Sequence, residues 1–348
     1  MGMKRKRWLA ASLCFGALLL VLQFSPAIDR FVQHAREKNG TEWAANDART
    51  LSSLLSLRAW GDEGGERRGK MLERIKAEAA KRNIPPVDAK IDRVWKAIPG
   101  YNGLEVDVEK SLELAERQSF PETPQLVFRE VPPQVDLDQL GPNPIYKGNP
   151  AKPMAALMIN VAWGDEYLPG MLDVLRKEQV RATFFFDGTW LKKNIPTARK
   201  IMEEGHEVSN HAYSHRDMSK LSRTQTAAEI SKTETMLKQE LGVQNRLFAP
   251  PSGDYNQMTV DVAHEMNLRT ILWTIDTVDW KKPEPSSIVH KIATRIEPGS
   301  LILMHPTSSS SAALQGMIRA IRAKRLSLGT VSEVISPARV PKVESAGQ

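Results

Sequence analysis

The sequence predicts an α/β protein: a parallel-stranded domain, barrel or open sheet, behind a small α+β module and an N-terminal export segment. Short apolar runs alternate with helical periods over about 180 residues from Ala155 onward, the pattern of repeated strand–helix units. Eight of the twenty-two prolines fall in residues 121–153, including Pro132-Pro133 and Gly141-Pro142-Asn143-Pro144; such a composition marks an extended connector. A charge-free run from Trp8 to Phe24 follows Lys4, Arg5, Lys6 and Arg7, the layout of an export signal.

Composition narrows the classes. The 348 residues are 41% hydrophobic and 26% charged, ordinary globular usage that sets aside disordered, collagen-like and coiled-coil chains. Cys14 is the single cysteine, which rules out an internal disulfide and a cysteine-based zinc site. The net charge is +7, but residues 1–27 carry four positive and no negative charges. The remainder is therefore only +3, spread without aromatic interleaving, and bears no nucleic-acid signature.

From the N-terminus, residues 1–27 read as a signal peptide or a membrane anchor. The apolar run of 17 residues is at the short edge of a spanning helix, and Ser25-Pro26-Ala27 leaves both fates open. Residues 28–66 read as a stalk and linker, broken by Gly61-Asp62-Glu63-Gly64-Gly65. Residues 67–120 read as the small module. It comprises a charged helix from Arg67 to Asn83, strands at Ile91–Ile98 and Leu104–Val108 around Pro99-Gly100-Tyr101-Asn102-Gly103, and a helix near Glu109–Arg117. After the connector 121–153 comes the main domain, 154–336, and a tail, 337–348. Within the domain, strands are expected at Ala155–Val161, Ala182–Phe186, Glu207–Ser209, Leu247-Phe248, Thr270–Ile275 and Leu301–His305. Helices fall between them, one of them capped by Ser222.

In either parallel architecture, chemistry collects at the carboxyl ends of the strands. The third strand runs into His211-Ala212-Tyr213-Ser214-His215. Histidines at i and i+4 on one helical turn face the same way and can reach one metal ion. Alone, this spacing equally suits two surface histidines; its place at a strand end selects the metal reading. The fifth strand ends in Asp276-Thr277-Val278-Asp279-Trp280, and the sixth in Leu303-Met304-His305-Pro306. His34, His206, His264 and His290 have no such company and read as structural or surface groups.

These segments together resemble the NodB-homology polysaccharide deacetylases, a carbohydrate esterase family. Gly205 to His215 is similar to the family's second motif, Ala182 to Phe186 to its second strand, Asp276 to Trp280 to its fourth motif, and Leu303-Met304-His305 to its fifth. The upstream module and the variant Ile159-Asn160-Val161-Ala162-Trp163-Gly164 resemble the YlxY-like, sporulation-associated subgroup of endospore-forming bacteria. The resemblance implies a distorted (β/α) barrel with one divalent metal, commonly Zn2+, held by an aspartate and two histidines. It implies a metal-polarised acetamide, an aspartate base and a histidine acid. Carried over, His211 and His215 match the metal ligands, His305 the acid, and Asp276 the carboxylate that orients it; Trp280 falls to substrate binding.

Three positions depart from the pattern. The family reads Thr-Phe-Asp-Asp-Gly-Pro where this chain has Met158-Ile159-Asn160-Val161-Ala162-Trp163. Asn160 stands in place of the base, Val161 in place of the third metal ligand, and Ala249 in place of the arginine that orients the base. Loss of base and arginine together points to a remodelled site, because a lone arginine there would be a poorly compensated charge. Asp165 and Glu166 are nearby carboxylates, read here as helix-start residues. The expectation is an exported protein, membrane-anchored or wall-associated, that deacetylates cell-wall glycan with a variant site. The alternative is a non-catalytic glycan-binding protein in which Trp163, Trp190, Trp273 and Trp280 matter as sugar-stacking faces.

Overall fold

The computed structural model describes residues 65–340. The export segment 1–27 with Cys14, the stalk as far as residue 64, and residues 341–348 lie outside the described residues. The chain forms two compact units. The first unites the segment ending at Arg74 with Leu112–Pro124, and the second unites Ile75–Ser111 with Gln125 onward. The module expected over 67–120 is thus shared between them. In the first unit, residues 65–74 are helical, and Arg68 Nε donates to Glu116 Oε1 at 2.6 Å.

The second unit opens with two antiparallel pairs, β1 (Lys90–Asp92) with β2 (Lys96–Ile98) and β3 (Gly103–Val106) with β4 (Phe128–Val131). The run Ile91–Ile98, expected as one strand, folds back on itself. Asp92 Oδ1 accepts from the backbone N–H groups of Val94 and Trp95, a side-chain turn that aspartate favours. The proline-rich segment lies along the unit: Ile145 bridges Ile271 in parallel, and Lys147 bridges Ser300 antiparallel.

Eight strands then build one parallel sheet: β5 (Met154–Val161), β6 (Thr183–Phe186), β7 (Glu207–Asn210), β8 (Leu247–Phe248), β9 (Arg269–Thr270), β10 (Ile275–Asp276), β11 (Leu301–Met304) and β12 (Ser327–Gly329). The order is β10-β11-β5-β6-β7-β8-β9, with β12 beside the start of β5. The single strand expected over Thr270–Ile275 is split, because β9 and β10 close opposite ends of the curled sheet. Residues 145–147 run along this opening: Ile145 N–H donates to Thr270 O and its carbonyl accepts from Leu272 N, while Lys147 bridges Ser300 just before β11. The result is a curled parallel half-barrel, the distorted (β/α) barrel anticipated from the sequence.

Every residue of β5 is buried, as a strand covered on both faces requires. Ala155, Leu157, Ile159 and Val161 enter an outer core with Phe184, Phe186 and the helices at Leu168–Lys177, Pro285–Arg295 and Ser308–Ala323. Ala156 and Met158 enter an inner core with Phe185, Ala249 and Ile271. This period-two alternation decides which side chains at the strand ends face the half-barrel's mouth. The long helix Arg223–Leu241 is set by a capping box of Ser222 and Gln225 and ends at left-handed Gly242.

Candidate active site at the strand ends

The carboxyl ends of β5, β7, β8, β10 and β11 bring together most of the residues singled out in the sequence. Asn160, Trp163, His215, Ser252, Trp273, Asp276, Trp280, Leu303 and His305 line a cleft of about 430 Å³. His211 lies just beneath, 1% exposed, with its ring centroid 5.3 Å from that of His215.

The two histidines meet in a different way from the expected helical turn, because residues 211–215 form a loop. Ala212 and His215 take left-handed backbone, φ 58° and 53°, conformations costing non-glycine residues about 1 kcal/mol or more. The loop is held by side chains that satisfy its backbone. Glu229 accepts from Tyr213 N, Ser214 N and Ser214 Oγ; Asn210 Oδ1 accepts from Ala212 N; Thr233 Oγ1 donates to Ala212 O. The buried His211 ring lies 2.7 Å through Nδ1 from Ala249 O. A carbonyl only accepts, so Nδ1 carries the proton and Nε2 is left as the free lone pair. Burial, with the His215 and His305 imidazoles close by, pushes the His211 pKa down to about 3, so the ring is neutral.

On the opposite side, His305 Nδ1 lies 2.8 Å from Asp279 Oδ1, and His305 N donates to Asp279 Oδ2 at 2.7 Å. Asp279 is fully buried. This corrects the assignment of the orienting carboxylate to Asp276. Asp276 lines the cleft instead and accepts from Val278 N at 2.7 Å, shaping a turn in which Val278 itself is left-handed at φ 55°. That turn carries Asp279 round to His305. The sequence offered two aspartates three apart, and only the turn decides between them.

The departures from the family pattern are visible as geometry. Asn160 is 3% exposed, and its Oδ1 is buried with no hydrogen-bond partner. Val161 is fully buried in the outer core, where its isopropyl group offers no lone pair. Ala249 contributes a buried methyl to the inner core, and its carbonyl orients His211. Asp165, a conceivable substitute ligand, accepts from Trp190 Nε1. Asp187, 1% exposed at the end of β6, caps the next helix through Oδ1, while its Oδ2 has no partner; burial raises its pKa. Among the described residues, no three His, Cys, Asp or Glu side chains are grouped to hold a metal ion. The donors at this site are the two imidazoles of His211 and His215, short of the three protein ligands usual for catalytic zinc, and Val161, the position that the resemblance gives to the third, offers none. The divalent metal implied by the resemblance does not fit it.

The site is thus a His305–Asp279 dyad and a histidine pair at the mouth of a curled half-barrel. Residues 147–271 match the polysaccharide deacetylase family. The chain is 44% identical over 272 residues, 78% of its length, to an uncharacterized protein, YlxY, of Bacillus subtilis, and spans 85% of it. It therefore belongs to the polysaccharide deacetylase family. A crystal structure described as a CE4 family pseudoenzyme from Bacillus anthracis superposes with a TM-score of 0.72 at 42% identity, covering 77% of this chain and 96% of that one. A mutant of the same pseudoenzyme, described as having restored enzymatic activity, superposes equally well at 40% identity, over 77% of this chain and 99% of that one. A peptidoglycan-N-acetylglucosamine deacetylase of Bacillus cereus is 34% identical over 156 residues, 45% of this chain and 56% of its own length.

Proposed function

We propose that this protein binds N-acetylated cell-wall glycan in the strand-end cleft and does not hydrolyse it by the metal-dependent route. The observation that carries this reading is the pair Asn160 and Val161. An amide does not take up a proton near neutral pH, and a core-packed isopropyl group does not ligate. The likeness to a CE4 family pseudoenzyme supports the loss of chemistry, and the peptidoglycan deacetylases among the relatives support the ligand class. The basic-then-apolar N-terminus supports a place outside the cytoplasmic membrane, anchored or released. The YlxY-like features support a role in sporulation.

A second reading, weak metal-dependent deacetylation, is favoured by the intact His305–Asp279 dyad and the paired His211 and His215 rings. Incubating the purified chain with chitotetraose and peptidoglycan fragments, with and without added Zn2+, separates the two. Binding without acetate release is expected. Stoichiometric zinc together with metal-dependent acetate release sinks the first reading and establishes the second.

A further inference from the structure

The tryptophans around the strand ends have different surroundings. Trp190 is 4% exposed and stacks on Phe186 at 5.0 Å. Trp273 packs over Gly253, where a Cβ would come within 2.5 Å of its ring. Trp163 and Trp280 are 45% and 54% exposed, and both line the cleft. Trp163 is also fixed in place. Its indole stacks on His305 at 5.3 Å with 14° between the planes, and meets His215 at 6.3 Å and 69°. The chain reaches this posture through Gly164, φ 87°, where a Cβ would sit 1.9 Å from Pro306 O. Asp165, bonded to Trp190 Nε1, anchors the far side of the turn.

One part of the indole is therefore used on His305 and the rest faces the cleft. Because the ring is already held, a ligand stacking on it loses little further side-chain freedom. Beside it lie Asn160, Ser252 and Asp276, a polar lining next to an aromatic wall. That combination suits a pyranose, which presents a face of C–H groups and a rim of polar substituents.

We infer that Trp163, backed by His305, is a stacking platform for an N-acetylhexosamine ring and supplies binding that a metal–carbonyl contact would otherwise give. This deepens the glycan-binding reading above and rests on it. The test is titration of the full-length chain with chitotetraose, followed by tryptophan fluorescence and calorimetry, with and without EDTA. Wild-type binding is expected to persist in EDTA. Trp163→Ala should weaken it about tenfold or more, the loss typical of a central aromatic contact. Trp163→Leu, which keeps bulk against His305 without an aromatic face, should weaken it alike, and Trp163→Phe should stay within a few-fold of wild type. Wild-type affinity in folded Trp163→Leu overturns the platform while leaving glycan binding intact, and so does binding abolished by EDTA. No binding by the wild type overturns the glycan reading and this inference with it.

Discussion

Restoring two carboxylates at the end of β5 tests the central argument most directly. In the variant Asn160→Asp/Val161→Asp, the buried Val161 isopropyl leaves the outer core, a loss of about 2 kcal/mol in transfer free energy. A carboxylate placed there without a partner adds a desolvation cost of several kcal/mol. A second acid at the 3%-exposed position 160 adds like-charge repulsion. Without metal, the variant is expected to be less stable by roughly 3–5 kcal/mol. At about 2–4 °C per kcal/mol for a domain of this size, that is a fall in Tm of roughly 6–20 °C. Zinc then has the third ligand it lacks in the wild type, and saturation at about 1,000 times Kd returns about 4 kcal/mol. The assay is thermal unfolding in EDTA and in Zn2+, paired with acetate release from chitotetraose. Wild type should show neither a zinc-dependent rise in Tm nor acetate; the double variant should show both. The reasoning is refuted if the two proteins respond to zinc alike, or if the variant neither binds zinc nor recovers stability.

Other consequences follow from single residues. Asp279→Ala should abolish the hydrogen-bonded Nδ1 proton resonance of His305 in NMR spectra and cost about 2 kcal/mol or more, since it leaves a buried imidazole N–H unpaired; Asp276→Ala should retain that resonance. His206 is buried against Phe184, accepts from Ala182 N, and has its pKa pushed down by burial to about 4. Its unfolded form takes up a proton near pH 6.5 while the folded form does not. Stability should therefore fall as pH drops from about 6.5 to about 4, by roughly 3 kcal/mol from this group, and His206→Phe should flatten that limb of the Tm profile. Burial raises the Asp187 pKa, so its contribution is full below the unfolded pKa and is lost as pH rises through the folded one. Asp187→Asn, which keeps the helix cap, should raise Tm at pH 7 more than at pH 4. Gly164→Ala meets both the left-handed φ and the Pro306 carbonyl; it should cost about 3 kcal/mol or more and displace Trp163, read as altered tryptophan fluorescence.

Much of this site was legible in one dimension. His211, His215 and His305 stand at strand ends in the sequence and at strand ends in the fold, because a parallel strand–turn–helix repeat puts such residues on one rim. Asn160 and Val161 declared themselves by residue type, since no folding context makes an isopropyl group a ligand. Other features were not legible. The HxxxH spacing suggested a helical turn, and a loop with two left-handed residues brings the rings together instead. The connector was read as extended from its prolines, and nothing in that composition showed that Ile145 would bridge Ile271 and Lys147 bridge Ser300.

The sequence by itself determined the alternation of strands and helices, the family, and the presence of an amide and an isopropyl group at 160 and 161, because these depend on local pattern and on the chemistry of single side chains. Only the tertiary structure decided which aspartate holds His305, which tryptophans are core and which face the cleft, and that Asn160 Oδ1 is left without a partner. Those outcomes depend on backbone turns at Val278 and Gly164 and on neighbours distant in sequence, such as Pro306 beside Gly164. Where packing sets the direction of a side chain, spacing along the chain does not encode it.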